Sequence, residues 1–442
     1  MIRAVVALVL LLLVGCSHGP TQSTSQPGTA TAAPGTTPTV PPKNHLVLRR
    51  EADQAFQRKD YPAAIAATQA ALVLRPDSPR YLYNLACAYA LTHRPNEALE
   101  TLRRLAALGV VVELEKDPDL ASVRALPGFK QIRVAIHKNG LPHGKVAPMF
   151  DVPNRTGIIE GIAYRAATED YFLGDVHNRC VWRSQHDGTL TQFSAKDANL
   201  LGVFKLAVDE PHGLLWLSTS ALPEVEGYTA ELKGKGALAA LDLKTGKVAR
   251  NYPLPDDGRD HCLGDFLLAP DGTVYVTDST APIIWRLPRG GDHLEKFLEY
   301  AGFSSLQGVG LLAHDTKLVV TDYANGIFVI DLATRAVTAV TPPARATLLG
   351  IDALIVKGDA ILGVQNGVEP QRVIRVQLTP TLDRATRFDV LASAYPNFDD
   401  LTHFVLVDGW LMLVTKSGWT EFETNKVNPP AHMAHVVTIN AP

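Results

Sequence analysis

The spacing of apolar and polar positions changes along the chain, and each change marks a boundary. Residues 4–14 form one unbroken apolar run of 11 residues. Residues 17–44 carry almost no large apolar side chain. From residue 45 to about 140 the apolar positions recur every three to four residues, the period of a helix packed on one face. From 144 to 442 the runs are short and alternate with period two, as half-buried strands do.

Residues 264–279 (GDFLLAPDGTVYVTDS) show the second regime most clearly. Two short apolar runs flank Pro270-Asp271-Gly272, whose residue types favour a tight turn, so the stretch predicts a β-hairpin. Its relatives recur. First strands are predicted at 158–164, 203–208, 265–269, 307–313, 350–356 and 402–407, each followed by a second and a third strand. Only five of the six units have a fourth strand after them, because the chain ends just past the sixth third strand. Residues 145–152 (KVAPMFDV) have the character of the missing one. An N-terminal strand that completes the last unit would close a six-bladed β-propeller and remove its open edges. Trp-Asp and Gly-His signatures of seven-bladed rings do not recur.

Within 45–140 an internal repeat of period 34 appears: Ala52 matches Ala86, Ala64 matches Ala98, Ile65 matches Leu99 and Leu74 matches Leu108. Each copy predicts two amphipathic helices with small residues at the packing points, and 119–138 predicts a capping element. With Phe56, Tyr61, Ala70-Ala71 and Pro76 in the first copy, and Asn84-Leu85-Ala86, Tyr89 and Asn96-Glu97-Ala98-Leu99 in the second, the segment resembles the tetratricopeptide (TPR) repeat. The resemblance implies either a groove for a peptide or protein partner or a spacer. Cys87 falls on a packed helix face and reads as a small core residue.

The N-terminus reads as an export signal. Met1-Ile-Arg3 is a short positive start, and the run at 4–14 is too short to span a bilayer. It ends in Leu13-Val14-Gly15-Cys16, which resembles a bacterial lipobox and implies lipidation of Cys16. Ser17 after it implies outer-membrane retention, with the body of the protein in the periplasm. Residues 17–44, rich in Thr, Ser, Pro, Gly and Ala, then form a disordered tether. The predicted organisation is thus multidomain: a lipoprotein signal at 1–16, the tether at 17–44, an all-α TPR-like repeat at 45–140, and an all-β propeller at 144–442. Against 42 Lys and Arg stand 45 Asp and Glu, a formal charge of −3, so no basic field points to nucleic acid. The four cysteines form no CxxC pair for zinc or redox chemistry.

The first strand of every propeller blade lines the axis, so polar residues near the starts of these strands converge. They are Glu160, Lys205 beside Phe204, Asp265, Gln307, Asp352 and His403 with Asp399-Asp400. Three carboxylates and an amide make an oxygen-rich site suited to a divalent ion such as Ca²⁺. Without a cation one acid must rise in pKa. Glu160-Gly161, Gly264-Asp265, Gln307-Gly308 and Asp352-Ala353 resemble motifs of the SMP-30/gluconolactonase/LRE family of six-bladed propellers. The resemblance implies a metal held by Glu160, Asp265, Gln307 and Asp352, with Asp352 also the general base for hydrolysis of small lactones or esters. Lys205, His261 and His403 would assist at the pocket rim. The chain departs from the family where Asp265 and Gln307 stand in place of asparagines. The other reading is a non-catalytic envelope scaffold that binds a protein or peptide through its TPR and propeller surfaces.

Asp175, Asp278 and Asp322 recur at the ends of second strands. That recurrence predicts a structural role, bonding the backbone of the next turn. Cys180 and Cys262 fall on different blades and are not expected to pair. The insertion at 418–432, with Trp419 and Phe422, predicts either a lid on one face of the ring or a surface loop. No serine lies in a nucleophile elbow.

Overall fold

In the computed structural model, residues 44–155, 157–185, 189–195, 197–424 and 429–441 are described. Cys16, the signal segment and nearly all of the tether lie outside the described residues.

Four helices begin the described chain: α1 (His45–Gln57), α2 (Tyr61–Leu74), α3 (Pro79–Leu91) and α4 (Pro95–Ala107). The first three start where a short polar side chain can satisfy a free backbone N–H. Asn44 accepts from Leu46 N, Asp60 from Ala63 N and Ser78 from Tyr81 N. Proline follows at the first or second position of α2, α3 and α4, where its missing N–H costs nothing. α1 packs on α2, α2 on α3 and α3 on α4. The alanines of the 34-residue repeat sit at these contacts: Ala52, Ala64, Ala86 and Ala98 are all buried. A short helix α5 (Ala121–Arg124) and the longer α6 (Pro127–Asn139) pack against α4.

The rest of the chain is a six-bladed β-propeller of antiparallel sheets. The innermost strands are Ile159–Arg165, Gly202–Asp209, Leu263–Leu268, Leu306–Leu312, Ile351–Lys357 and Phe404–Val407, defining blades 1 to 6 in order. The hairpin predicted at 264–279 is there: Ala269 N bonds Thr273 O, and the Asp271 carboxylate accepts from Thr273 N at 2.8 Å. Val146–Arg155 runs antiparallel to His432–Asn440 as the outermost strand of blade 6. Just before it, His143–Gly144 extends the outer edge of blade 5 by pairing with Ser393 and Ala392. The chain therefore touches blade 5 before it joins blade 6. Apolar side chains from facing blades interdigitate around the ring, for example Leu354, Ile361 and Ile374 of blade 5 with Val319 and Ile327 of blade 4.

The helical region docks on blades 4 and 5 through polar contacts between residues more than 200 positions apart. His45 Nε2 lies 2.6 Å from Asn325 Oδ1. The Asp77 carboxylate accepts from Leu348 N at 3.0 Å and from Thr347 Oγ1. Val111 N donates to Glu369 O at 2.5 Å. Arg372 is buried; it donates through Nε to Gln365 Oε1 at 2.6 Å and through Nη1 to the carbonyls of Leu108 and Gly109. Val368 of the propeller joins the helical core. These propeller residues lie in loops or at strand ends on the face where the innermost strands begin.

Candidate functional site

The channel residues share one backbone device. In blades 1 to 5 the innermost strand carries one residue more than its partner at the same place, a β-bulge. The register slips between Ile159 and Gly161, Val203 and Leu206, Leu263 and Phe266, Leu306 and Val309, and Ile351 and Ala353. Glu160, Lys205, Asp265, Gln307 and Asp352 each fall inside one of these slips. A bulge breaks the in-out alternation and re-aims a side chain, so five strands whose neighbours are apolar can each present one polar group to the axis. The bulge also frees carbonyls. Hydroxyls of neighbouring second strands bond them: Ser218 Oγ to Gly264 O at 2.7 Å and Thr277 Oγ1 to Gln307 O at 2.6 Å. Glycine follows the channel residue where adjacent inner strands press together. A Cβ on Gly161 would meet Phe204 O at 2.3 Å, and one on Gly308 would meet Leu354 N at 2.6 Å. Both contacts are shorter than real side chains show.

Four of the five, all but Lys205, open onto a cavity of about 450 Å³. Its walls include Glu160, Asp265, Gln307, Asp352, His403 and Asn366. Lys205 Nζ lies 3.2 Å from Asp265 Oδ1. Asp265 Oδ2 has no hydrogen-bond partner, although the residue is buried. Glu160 Oε2 accepts from Trp419 Nε1 at 2.6 Å, and Glu160 Oε1 lies 3.6 Å from His403 Nδ1. Neither ring nitrogen of His403 makes a hydrogen bond. Asp352 Oδ2 accepts from Asn366 Nδ2 at 2.8 Å, leaving Asn366 Oδ1 unpartnered. Burial pushes the Asp352 carboxyl up to about 7. Repulsion from Glu160 and Asp265 adds to that, against the opposing pull of His403 and the Asn366 hydrogen bond. Asp352 is thus an acid of this cluster whose pKa is raised.

Other predicted residues sit differently. Gln307 is held sideways, its Nε2 donating to Ser305 Oγ at 3.2 Å while Ser279 Oγ donates to its Oε1 at 3.4 Å. His261 is not among the cavity-lining residues. Its ring is buried between Asp278 at 2.6 Å and Asp257 at 2.8 Å. Burial pulls its pKa down, but the two carboxylates raise it further, for a net rise. Asp175, Asp278 and Asp322 accept from backbone N–H groups of adjoining turns, such as Asn178 N, Ala281 N and Ser305 N. Cys180 and Cys262 are not joined by a disulfide.

The insertion in blade 6 supplies a cover. Helix α7 (Trp419–Thr424) places Trp419 and Phe422 against Ile158, Val176, Phe204, Val225 and Cys262. Asp400 anchors it, accepting from Thr420 N at 2.8 Å and Thr420 Oγ1 at 2.7 Å. Burial raises the Asp400 carboxyl to about 6, against these hydrogen bonds. Asn366, Tyr323 and Glu369 also line the cavity, and the sequence reading missed them. Each directly follows, or lies close behind, a second strand, and the signal available was that position alone.

A divalent ion fits this arrangement poorly. Oxygens bound at 2.3–2.6 Å to one ion lie within about 5 Å of one another. Among the described residues the acid, histidine and cysteine ligand atoms that gather three within 4.8 Å belong to Cys87, Asp117 and Asp119, in the helical region. There the Asp117 carboxylate is already engaged by Tyr83 Oη and Asp119 N, and burial pushes the Cys87 thiol up. In the channel Glu160, Asp265 and Asp352 each hold a separate N–H donor instead.

No family model matches the chain, and no curated protein matches it in sequence. Among solved structures it is similar to a gluconolactonase from Xanthomonas campestris, at 14% identity and TM-score 0.46, over 67% of this chain and 89% of that one. A PQQ-bound aldose sugar dehydrogenase from Streptomyces coelicolor aligns at 12% identity and TM-score 0.46, over 68% and 99%. A virginiamycin B lyase from Staphylococcus aureus aligns at 14% identity and TM-score 0.43, over 67% and 99%.

Proposed function

We propose that the channel hydrolyses small lactones or esters, with Asp352 as general base. The observation that carries this reading is Asp352 itself: a carboxylate poised near neutral pH, opening onto a cavity that is also lined by His403 and Asp265 with unpartnered polar atoms. Asp352 takes a proton from water as the water oxygen bonds to the substrate carbonyl carbon. The carbonyl oxygen becomes an oxyanion, which a ring N–H of His403, on the cavity wall, stabilises by donating to it. Collapse breaks the bond to the alkoxide, which recovers the proton from Asp352. The products are a carboxylic acid and an alcohol, or a hydroxy acid from a lactone. His403 and Asp265 Oδ2, free of hydrogen bonds, orient the substrate. The finer architecture belongs to the same proposal. The helix pairs are TPR-like, which the buried repeat alanines support, and Val146–Arg155 is the strand that closes the ring, which its pairing with His432–Asn440 supports.

The sign of the pH dependence follows from the base. Only ionised Asp352 removes a proton, and its pKa lies at about 7. The expected kcat/KM therefore falls about tenfold per pH unit below 7 and levels off above it. A panel of small lactones and esters, followed from pH 5 to 9, checks this. A profile that is flat across pH 7, or no turnover of any panel member, would count against the reading.

A further inference from the structure

We infer that the channel is selective for charge: it takes a substrate that carries a protonated amine and turns away anionic ones. Three carboxylates, Glu160, Asp265 and Asp352, line the cavity from the bulges of blades 1, 3 and 5. Five more line it from loops and from the cover: Glu224, Glu369, Asp399, Asp400 and, on α7, Glu423. Among the described lining residues no Lys or Arg balances these eight acids, and His403 is the one basic side chain. Lys205 stands outside the lining set and is paired with Asp265 Oδ1. A cleft lined by one sign of charge focuses its field on whatever enters. The acids themselves feel that field. Burial raises Asp352 to about 7 and Asp400 to about 6 and also raises Glu369, and repulsion between neighbouring acids adds to each rise. Glu369, Asp399 and Glu423 are exposed, so an approaching molecule meets them before it meets the buried Glu160 and Asp265.

Two further features of the wall suit an ammonium group. Asp265 is 2% exposed and its Oδ2 accepts no hydrogen bond, and Asn366 Oδ1 also lacks a donor. A buried acceptor without a donor carries a desolvation penalty that an N–H on the ligand relieves. Phe204, Tyr323 and Trp419 line the same cavity, and aromatic rings attract ammonium groups. The reacting group of such a substrate, an ester or lactone, rests on the hydrolase reading. On that reading the field also favours product release, because the carboxylate formed by hydrolysis is repelled from the channel.

Three acetamides of matched shape read the charge preference without turnover. The acetamide of N,N-dimethylethylenediamine is a cation at neutral pH, that of isopentylamine is its neutral isostere, and that of γ-aminobutyrate is an anion. Calorimetry on the full chain should find the cation bound at least tenfold more tightly than its isostere, and the anion not bound. Raising salt from about 20 to about 300 mM should weaken the cation and leave the isostere unchanged. Neutralising two exposed acids together, Glu369→Gln with Asp399→Asn, should narrow the preference at least threefold. Equal affinity for the cation and its isostere, tighter binding of the anion, or no binding of the cation at about 10 mM overturns the inference. So does a preference that neither salt nor the double variant changes. The acetate esters of the corresponding alcohols test the hydrolase reading separately. If none is turned over while the acetamide preference holds, the hydrolase reading fails and the cation preference stands. If the neutral ester is turned over as well as the cationic one and the acetamides bind alike, the inference fails and the hydrolase reading stands.

Discussion

Asp352→Asn is expected to lower turnover of any lactone or ester substrate by about 10²–10⁴-fold, the usual contribution of a positioned general base. The substitution is nearly isosteric. Its amide oxygen still accepts from Asn366 Nδ2, as the carboxylate does at 2.8 Å. It also removes a charge whose ionisation the folded channel resists. A carboxyl whose pKa is raised on folding is most favourable in its protonated form; that contribution is complete below the unfolded pKa and is lost as pH rises through about 7. The melting temperature of Asp352→Asn at pH 8 should therefore equal or exceed that of the unaltered chain. The pair of measurements separates chemistry from folding. Turnover near the original rate would remove Asp352 as the base. A variant that loses activity and melts well below the parent would instead make Asp352 a structural residue. The residual rate of a folded variant should also lose the part of the inflection near pH 7 that Asp352 supplies.

How much of this was legible in the sequence depends on the range of the interaction. The hairpin at 264–279 was readable because turn chemistry and period-two alternation are local, and six copies of it counted the blades. The helix pairs were readable for the same reason, from alanines 34 residues apart. Bulges are not local. The extra residue at Glu160 or Asp352 exists only relative to the strand opposite, so spacing from the turn misjudges it. Asp265 stands two residues past the position paired with Asp278, whereas Gln307 stands one past the position paired with Asp322. The Gln307 amide is held sideways by its hydrogen bonds to Ser305 and Ser279. Lys205 was read as a helper at the rim because its ion pair with Asp265 joins two blades 60 positions apart. His261, four residues before Asp265 at the inner-strand entrance, reads toward the channel. The carboxylates of Asp278 and Asp257 hold it elsewhere. The docking of the helices on blades 4 and 5 had no sequence signal at all, since His45, Asp77 and Arg372 look like ordinary surface polar residues until the chain is folded.

Asp278→Ala is expected to destabilise the propeller by about 3–5 kcal/mol, the range found when one partner of a buried charged network is removed. Asp278 is buried completely, and its Oδ1 accepts from Cys262 N, Thr280 N and Ala281 N at 3.0–3.2 Å. Its Oδ2 accepts from Trp285 Nε1 at 3.1 Å and faces His261 Nδ1 at 2.6 Å. Alanine replaces none of these, and the stranded donors bear the desolvation cost of burial without a bond. Asp278→Asn keeps one good acceptor and should fall between alanine and the parent. Chemical denaturation of the three proteins measures the order. Asp322→Ala should behave similarly, because Asp322 accepts from Ser304 N, Ser305 N and Asn325 N in the neighbouring blade. The contrast with Asp352 carries the argument. Both acids belong to the same repeated unit, one at the end of a second strand and one in the bulge of a first. Removing the first kind of acid should cost stability, and removing the second should cost turnover. A stable Asp278→Ala protein would break the division of labour drawn here between the blade ends and the channel.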